Sequence, residues 1–212
     1  MSGDIDQQAD GDPRGDSERN ATIGGEGELT IYAADEQSAE PVDLEKYCEL
    51  ARAVLLSCGV RGNAELSLLF VDEATIAQLN KQFMGHEGST DVLSFPIDGE
   101  DVDDPNFSSA TTGPDRPSSD PDDLPLLLGD VIICPSVARR NVEDGDRTWH
   151  AGTYADELAL LTVHGILHVM GMDHANPHDE AVMRARTNEL LVLHYGTVAN
   201  DSAPADVVIE LP

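Results

Sequence analysis

A chain of 212 residues is long enough for one domain with a sizeable core, and an apolar content of 40% leaves part of the chain outside that core. No run approaches the roughly 18 consecutive apolar residues that a membrane span needs, so no membrane association is predicted. The formal net charge of −29 is the opposite of the basic footprint usual in nucleic-acid-binding proteins.

The acidity is unevenly spread. Residues 1–40 hold 11 acids and 2 bases, residues 98–123 hold 9 and 1, and residues 200–212 hold 3 and none. Two explanations fit: adaptation to a high-salt cytoplasm, or disordered acidic tails and an insert. The N-terminus is polar and acidic, without the basic and apolar regions of a secretory signal. Cys48, Cys58 and Cys134 are odd in number and sit in apolar contexts. They are expected to be buried free thiols of a reducing compartment, which points to the cytoplasm.

Residues 1–27 have no periodicity and are predicted to be a disordered acidic tail. A single domain is expected over 28–196, interrupted by an acidic insert at 98–123 and followed by a tail at 197–212. Within it, residues 28–33 alternate around Leu29, Ile31 and Ala33 and predict a short strand. Asp43 opens a helix with Leu44, Tyr47, Leu50, Ala51, Val54 and Leu55 at helical spacing, and Gly59 is its stop. Residues 65–71 predict a strand. Asp72 then caps a second helix with Ile76, Leu79, Asn80 and Phe83 along one side. After a loop at 85–90, residues 92–97 and 126–134 predict the third and fourth strands. A short helix follows from Pro135, then a nearly all-apolar one over 154–170 that must be buried, and a last one over 178–195 with Leu193 on its apolar side.

The densest chemistry lies at residues 164–174, His-Gly-Ile-Leu-His-Val-Met-Gly-Met-Asp-His. His164 and His168 are four apart, which puts both side chains on one helical face. Gly171 falls where that helix would end and lets the chain turn back, so His174 can approach the same point. Three converging imidazoles without a cysteine describe a three-ligand metal site with an open fourth position, the arrangement of catalytic rather than structural zinc. The same spacing occurs in a class of metalloproteases that carry Glu directly after the first histidine as general base. Here that residue is Gly165, so proteolysis is not expected.

Three blocks together resemble the YbeY family of bacterial metal-dependent endoribonucleases. They are Ser-Thr-Asp-Val-Leu-Ser-Phe-Pro (89–96), Leu-Gly-Asp-Val-Ile-Ile-Cys-Pro (128–135) and the histidine-bearing stretch 157–174. With the elements between them they span about 65–195. The resemblance implies an α+β domain with a small mixed, four-stranded sheet beneath the histidine helix, and one Zn2+ per chain on His164, His168 and His174. It also implies cleavage of single-stranded RNA, 16S rRNA 3′-end maturation, ribosome quality control and the small ribosomal subunit as partner. Many members of the family carry an arginine, thought to act in cleavage, where this chain has Met84. His86 and Arg139 are the substitutes the sequence offers. The alternative is a non-catalytic or very slow metal-stabilised factor associated with the ribosome.

Other polar residues have two readings each. Asp173 either orients a ligand histidine or bonds its own turn. Thr90, Asp91 and Ser94 either line the cleft or organise the loop entering the strand. No catalytic residue beyond the metal ligands is assigned.

Overall fold

The computed structural model describes residues 19–25, 27–97, 125–144, 152–174 and 176–196. Its elements are β1 (Asn20–Ile23), β2 (Leu29–Asp35), α1 (Leu44–Ser57), β3 (Ala64–Phe70), α2 (Glu73–Leu79), β4 (Val92–Pro96), β5 (Leu126–Ile133), α3 (Pro135–Glu143), α4 (Tyr154–Val169) and α5 (Pro177–His194). A π-helical turn over Asn80–Met84 continues α2. The α+β class is as expected. The sheet, however, has five strands rather than four, in the order β1-β2-β3-β5-β4.

The additional strand is β1, which falls inside the segment read as a disordered tail. It pairs antiparallel with β2 from Asn20 opposite Ala34 to Ile23 opposite Ile31. Ala21 and Ile23 alternate with Asn20 and Thr22, but four residues are too short a run to stand out in a polar, acidic segment. Their order comes from backbone bonds to β2 and from Ala21 and Ile23 packing against the core beside α1. The segments 1–18, 98–123 and 197–212, read as tails and an insert, lie outside the described residues.

β2, β3 and β5 run parallel, and β4 closes the other edge antiparallel to β5. Strand alternation separates two cores. The larger packs α1, α4 and α5 on one face of the sheet and includes Ile31, Leu66, Val131, Leu161 and Ile166. The smaller lies on the other face beneath α2 and contains Ile76, Leu93, Ile132 and Val137. Every residue expected on the apolar side of α1 is buried, and Asp43 accepts from the Lys46 amide as its cap. Asp72 caps α2 through the Thr75 amide at 2.7 Å.

α4 is the central helix. It touches α1, α3, α5, β4 and β5, which accounts for an apolar surface on nearly every side. A capping box starts it, with Thr153 and Asp156 bonding each other's backbone amides. Along α5, Met183, Thr187, Leu190 and Leu191 are buried, whereas Leu193, expected on the apolar side, faces solvent. The last turn of α5 still meets α1, through His194 on Ser57 and Tyr195 on Lys46, so Leu193 is exposed because it lies on the opposite side of the helix.

Cys48 and Cys134 are buried, Cys58 is half-buried, and all three are free thiols. Burial pushes the Cys48 thiol up to about 11, which keeps it protonated and inert.

Candidate metal centre

The histidine site is built from one helix end and one turn. α4 carries His164 and His168 toward β4, and the helix stops at Val169. There the Gly171 amide bonds the His168 carbonyl and the Met172 amide bonds the Leu167 carbonyl, each at 2.9 Å. That pair of reversed bonds is a Schellman cap, and it needs a left-handed residue at Gly171, whose φ is +85°. The cap reverses the chain within three residues and returns His174 to the two helical rings. The glycine stop read from the sequence is therefore also what brings the third histidine in.

His164, His168 and His174 offer nitrogen atoms that all lie within 4.8 Å of one another. The His164 and His168 Nε2 atoms are 3.2 Å apart. Two ligands of a tetrahedral zinc, each about 2.0–2.1 Å from the ion, lie about 3.3 Å apart. At that separation the two nitrogens either share one proton or face one cation. The ring centroids, 4.7, 5.0 and 5.7 Å apart, form a triangle with His174 on the solvent side. Burial holds the His168 imidazole below the ordinary histidine range, helped by His174, while a backbone bond at Met172 and the charge of Asp173 oppose the shift. A neutral ring is the ligating form. The donor set fits a borderline-soft divalent ion.

Gly171→Ala tests the cap. A left-handed alanine costs about 1–2 kcal/mol, so the melting temperature is expected to fall by a few degrees. Metal affinity should fall with it, because the strain is relieved by moving His174. Calorimetry and metal titration of the variant read both effects; an unchanged affinity would show that His174 is placed by something other than the turn.

The histidines line a cleft of about 500 Å³, together with Met84, Thr90, Asp91, Ser94, Pro96 and Asp173 among others. Ser94 donates its hydroxyl to the Gly165 carbonyl at 3.1 Å and so fastens β4 to α4. Asp91 accepts from the Val92 amide at 2.9 Å, from the Thr90 hydroxyl at 3.3 Å and from the Asn141 side chain at 3.1 Å. These residues line the cleft and organise the loop at once. Asp173 accepts from the amide of His174 at 2.7 Å, the turn-forming reading.

Gly165 faces the sheet, against β4 and β5. A Cβ there would lie 2.5 Å from Val131 Cγ1, 3.2 Å from Ser94 Oγ and 3.3 Å from Val92 Cγ2. The residue is small because α4 crosses the sheet at this point. The missing protease base thus has a packing cause as well as a chemical consequence.

The sequence did not flag the polar support behind the site. Asn141 on α3 donates to Asp91 Oδ2 and, at 3.4 Å, to Glu157 Oε1. Glu157 is fully buried in α4, seven residues before His164 and so two turns earlier on the same face. An acid two turns before His164 on the same face of an otherwise apolar stretch was the available signal.

Neither substitute for the expected arginine, His86 or Arg139, lines the cleft, and His86 is exposed outside it. Arg139 bonds Glu40 at 2.7 and 3.0 Å and lies 3.8 Å over the Tyr154 ring. Arg140 is paired with Glu73. Among the described residues no lysine or arginine lines the cleft, and Met84 stands on its wall. His178 is exposed, and His194 bonds Ser57 at 2.6 Å away from the three-histidine group.

Comparison with known proteins finds relatives over most of the chain. The family model described as Endoribonuclease YbeY matches residues 32–194. An Endoribonuclease YbeY of Salinispora tropica is 42% identical over 164 residues, covering 77% of this chain and 94% of its own. One of Frankia alni is 40% identical over 163 residues, covering 77% and 81%. A solution structure of a Thermotoga maritima protein, TM1509, aligns over 84% of this chain and 99% of its own at 21% identity, with a TM-score of 0.44. The matched span contains the helix, the glycine turn and all three histidines, and on that match the chain belongs to the endoribonuclease YbeY family.

Proposed function

We propose that this protein is a zinc-dependent endoribonuclease of single-stranded RNA, acting in 16S rRNA 3′-end maturation and ribosome quality control on the small ribosomal subunit in the cytoplasm. The nuclease unit is residues 28–196. The observation that carries the reading is the convergence of His164, His168 and His174 in one cleft, with two of their nitrogens 3.2 Å apart. These three residues would hold one zinc ion. Bound there, zinc supplies Lewis-acid charge for a phosphoryl oxygen and acidifies water.

The chain's own residues do the positioning. The Gly171 turn aims His174, and the Ser94 hydroxyl holds the strand edge against α4. The Asp91–Asn141–Glu157 chain fixes the loop that forms the cleft wall. Gly165 leaves no carboxylate to serve as a peptidase base.

Purified protein is expected to cleave single-stranded RNA, to lose cleavage with chelator, and to regain it when zinc is restored, with one zinc per chain by elemental analysis. Cleavage unaffected by chelator would overturn zinc dependence. Binding of the protein to the small subunit without any cleavage would favour the ribosome-associated factor instead, a reading supported by Met84 standing where an arginine is expected.

A further inference from the structure

The second helix does not end as its sequence suggests. Ile76, Leu79, Asn80 and Phe83 share one side of a regular helix, and a regular helix would bury all four. The π-helical turn over Asn80–Met84 widens the coil, so Asn80 stays buried while Phe83 is 56% exposed and Met84 43% exposed. The turn is pinned. Asn80 donates its side chain to the Gly88 carbonyl at 3.0 Å, and Gly85 closes the turn with a φ of +71°. Phe83 is also braced edge-on by Phe95 of β4, with centroids 5.1 Å apart and planes at 70°. An aromatic ring held rigidly outward costs apolar exposure that the fold does little to relieve.

Its place gives it a use. Met84, the next residue, lines the three-histidine cleft, and so do Ser94 and Pro96 on either side of Phe95. Phe83 therefore stands just over the edge of β4 from the cleft. The cleft offers two carboxylates, Asp91 and Asp173, and among the described residues no lysine or arginine for phosphate. On a chain of net charge −29, phosphate attraction is a poor source of RNA affinity. Base stacking is insensitive to that charge, because every base has a π face.

We infer that Phe83 is a stacking platform for an unpaired nucleobase of the RNA strand as it leaves the three-histidine cleft over the edge of β4. This rests on the single-stranded RNA reading above. It makes Phe83 a substrate-binding residue that takes the place of missing phosphate contacts, and it gives binding a shallow dependence on salt.

The test is binding of zinc-loaded protein to fluorescent, 2′-O-methylated single-stranded RNA, which resists cleavage, followed by anisotropy. Phe83→Leu keeps apolar bulk but loses the π face, and is expected to weaken binding roughly 5- to 100-fold. Phe83→Trp should retain it. An abasic site scanned along the RNA should weaken binding to the wild type at one position, and at that position should cost Phe83→Leu nothing further. Zinc content and melting temperature of both variants report any loss of fold. If the wild type binds RNA and Phe83→Leu binds equally well, or if no abasic position is coupled to residue 83, the inference is wrong. A wild type that neither binds nor cleaves RNA would instead remove the functional reading on which it rests.

Discussion

His168→Ala is expected to abolish stoichiometric zinc binding and to lower RNA cleavage by roughly 10³-fold or more, since even a residue that only orients a metal ligand is worth about 10–100-fold. The ring is half-buried at the helix end, and its Nε2 lies 3.2 Å from that of His164. Its removal leaves His164 and the solvent-exposed His174 to hold the ion between them. The fold should survive. The core around α4 is made by Leu158, Leu160, Leu161, Val163, Ile166 and Leu167, none of which depends on the metal. In chelator, variant and wild type should therefore melt within a few degrees of each other. In excess zinc only the wild type should gain stability, about 4 kcal/mol at a thousandfold excess over its dissociation constant. Elemental analysis, calorimetry and a cleavage assay read the three effects. Full zinc occupancy in the variant would remove His168 from the ligand set; full cleavage without zinc would remove the metal from the reaction.

Gly165→Glu restores the residue that metalloproteases carry after their first histidine, and it is expected to give an unstable protein without peptidase activity. The new Cβ would start 2.5 Å from Val131, a fully buried and β-branched residue that cannot rotate away cheaply. Overpacking alone costs about 1–3 kcal/mol, and a carboxylate pushed among Val92 and Val131 adds the penalty for a buried charge. A loss of about 3–5 kcal/mol is expected, which lowers the melting temperature by roughly 6–20 °C. Gly165→Ala separates the causes: helix propensity returns about 1 kcal/mol, so the net loss should be much smaller. Scanning calorimetry of both variants and a peptide-hydrolysis assay are sufficient. A Glu variant that melts like the wild type would show that α4 can lift from the sheet, and peptide hydrolysis would show that position 165 reaches the cleft.

These two variants mark where the sequence was informative. His168 was legible because its evidence is local. A four-residue spacing, an apolar helix and a glycine at its end lie within a few turns of chain, and helix geometry converts them into a shared face and a reversal of direction. The caps at Asp43 and Asp72 and the buried side of α1 were legible for the same reason. Gly165 was legible only in part. Its lack of a base was plain, but the reason for a glycine was not, because Ser94 and Val131 come from strands far away in the chain.

The convergence of the three histidines and the turn that completes it were thus determined by the sequence alone, through contacts that span one or two helical turns, while the α+β class followed from the family resemblance. Tertiary structure decided the rest. It added β1 as a fifth strand, because a four-residue segment with two apolar side chains is ordered only once β2 and α1 give it partners. It committed Arg139 to Glu40, 99 residues away, so this arginine does not serve the cleft. It turned Phe83 outward through a π-helical turn held by Asn80 and Gly88, where helical periodicity placed it inward. Each of these depends on a partner that local spacing cannot specify, since the free energy of a long-range contact belongs to both residues and becomes available only once the sheet has brought them together.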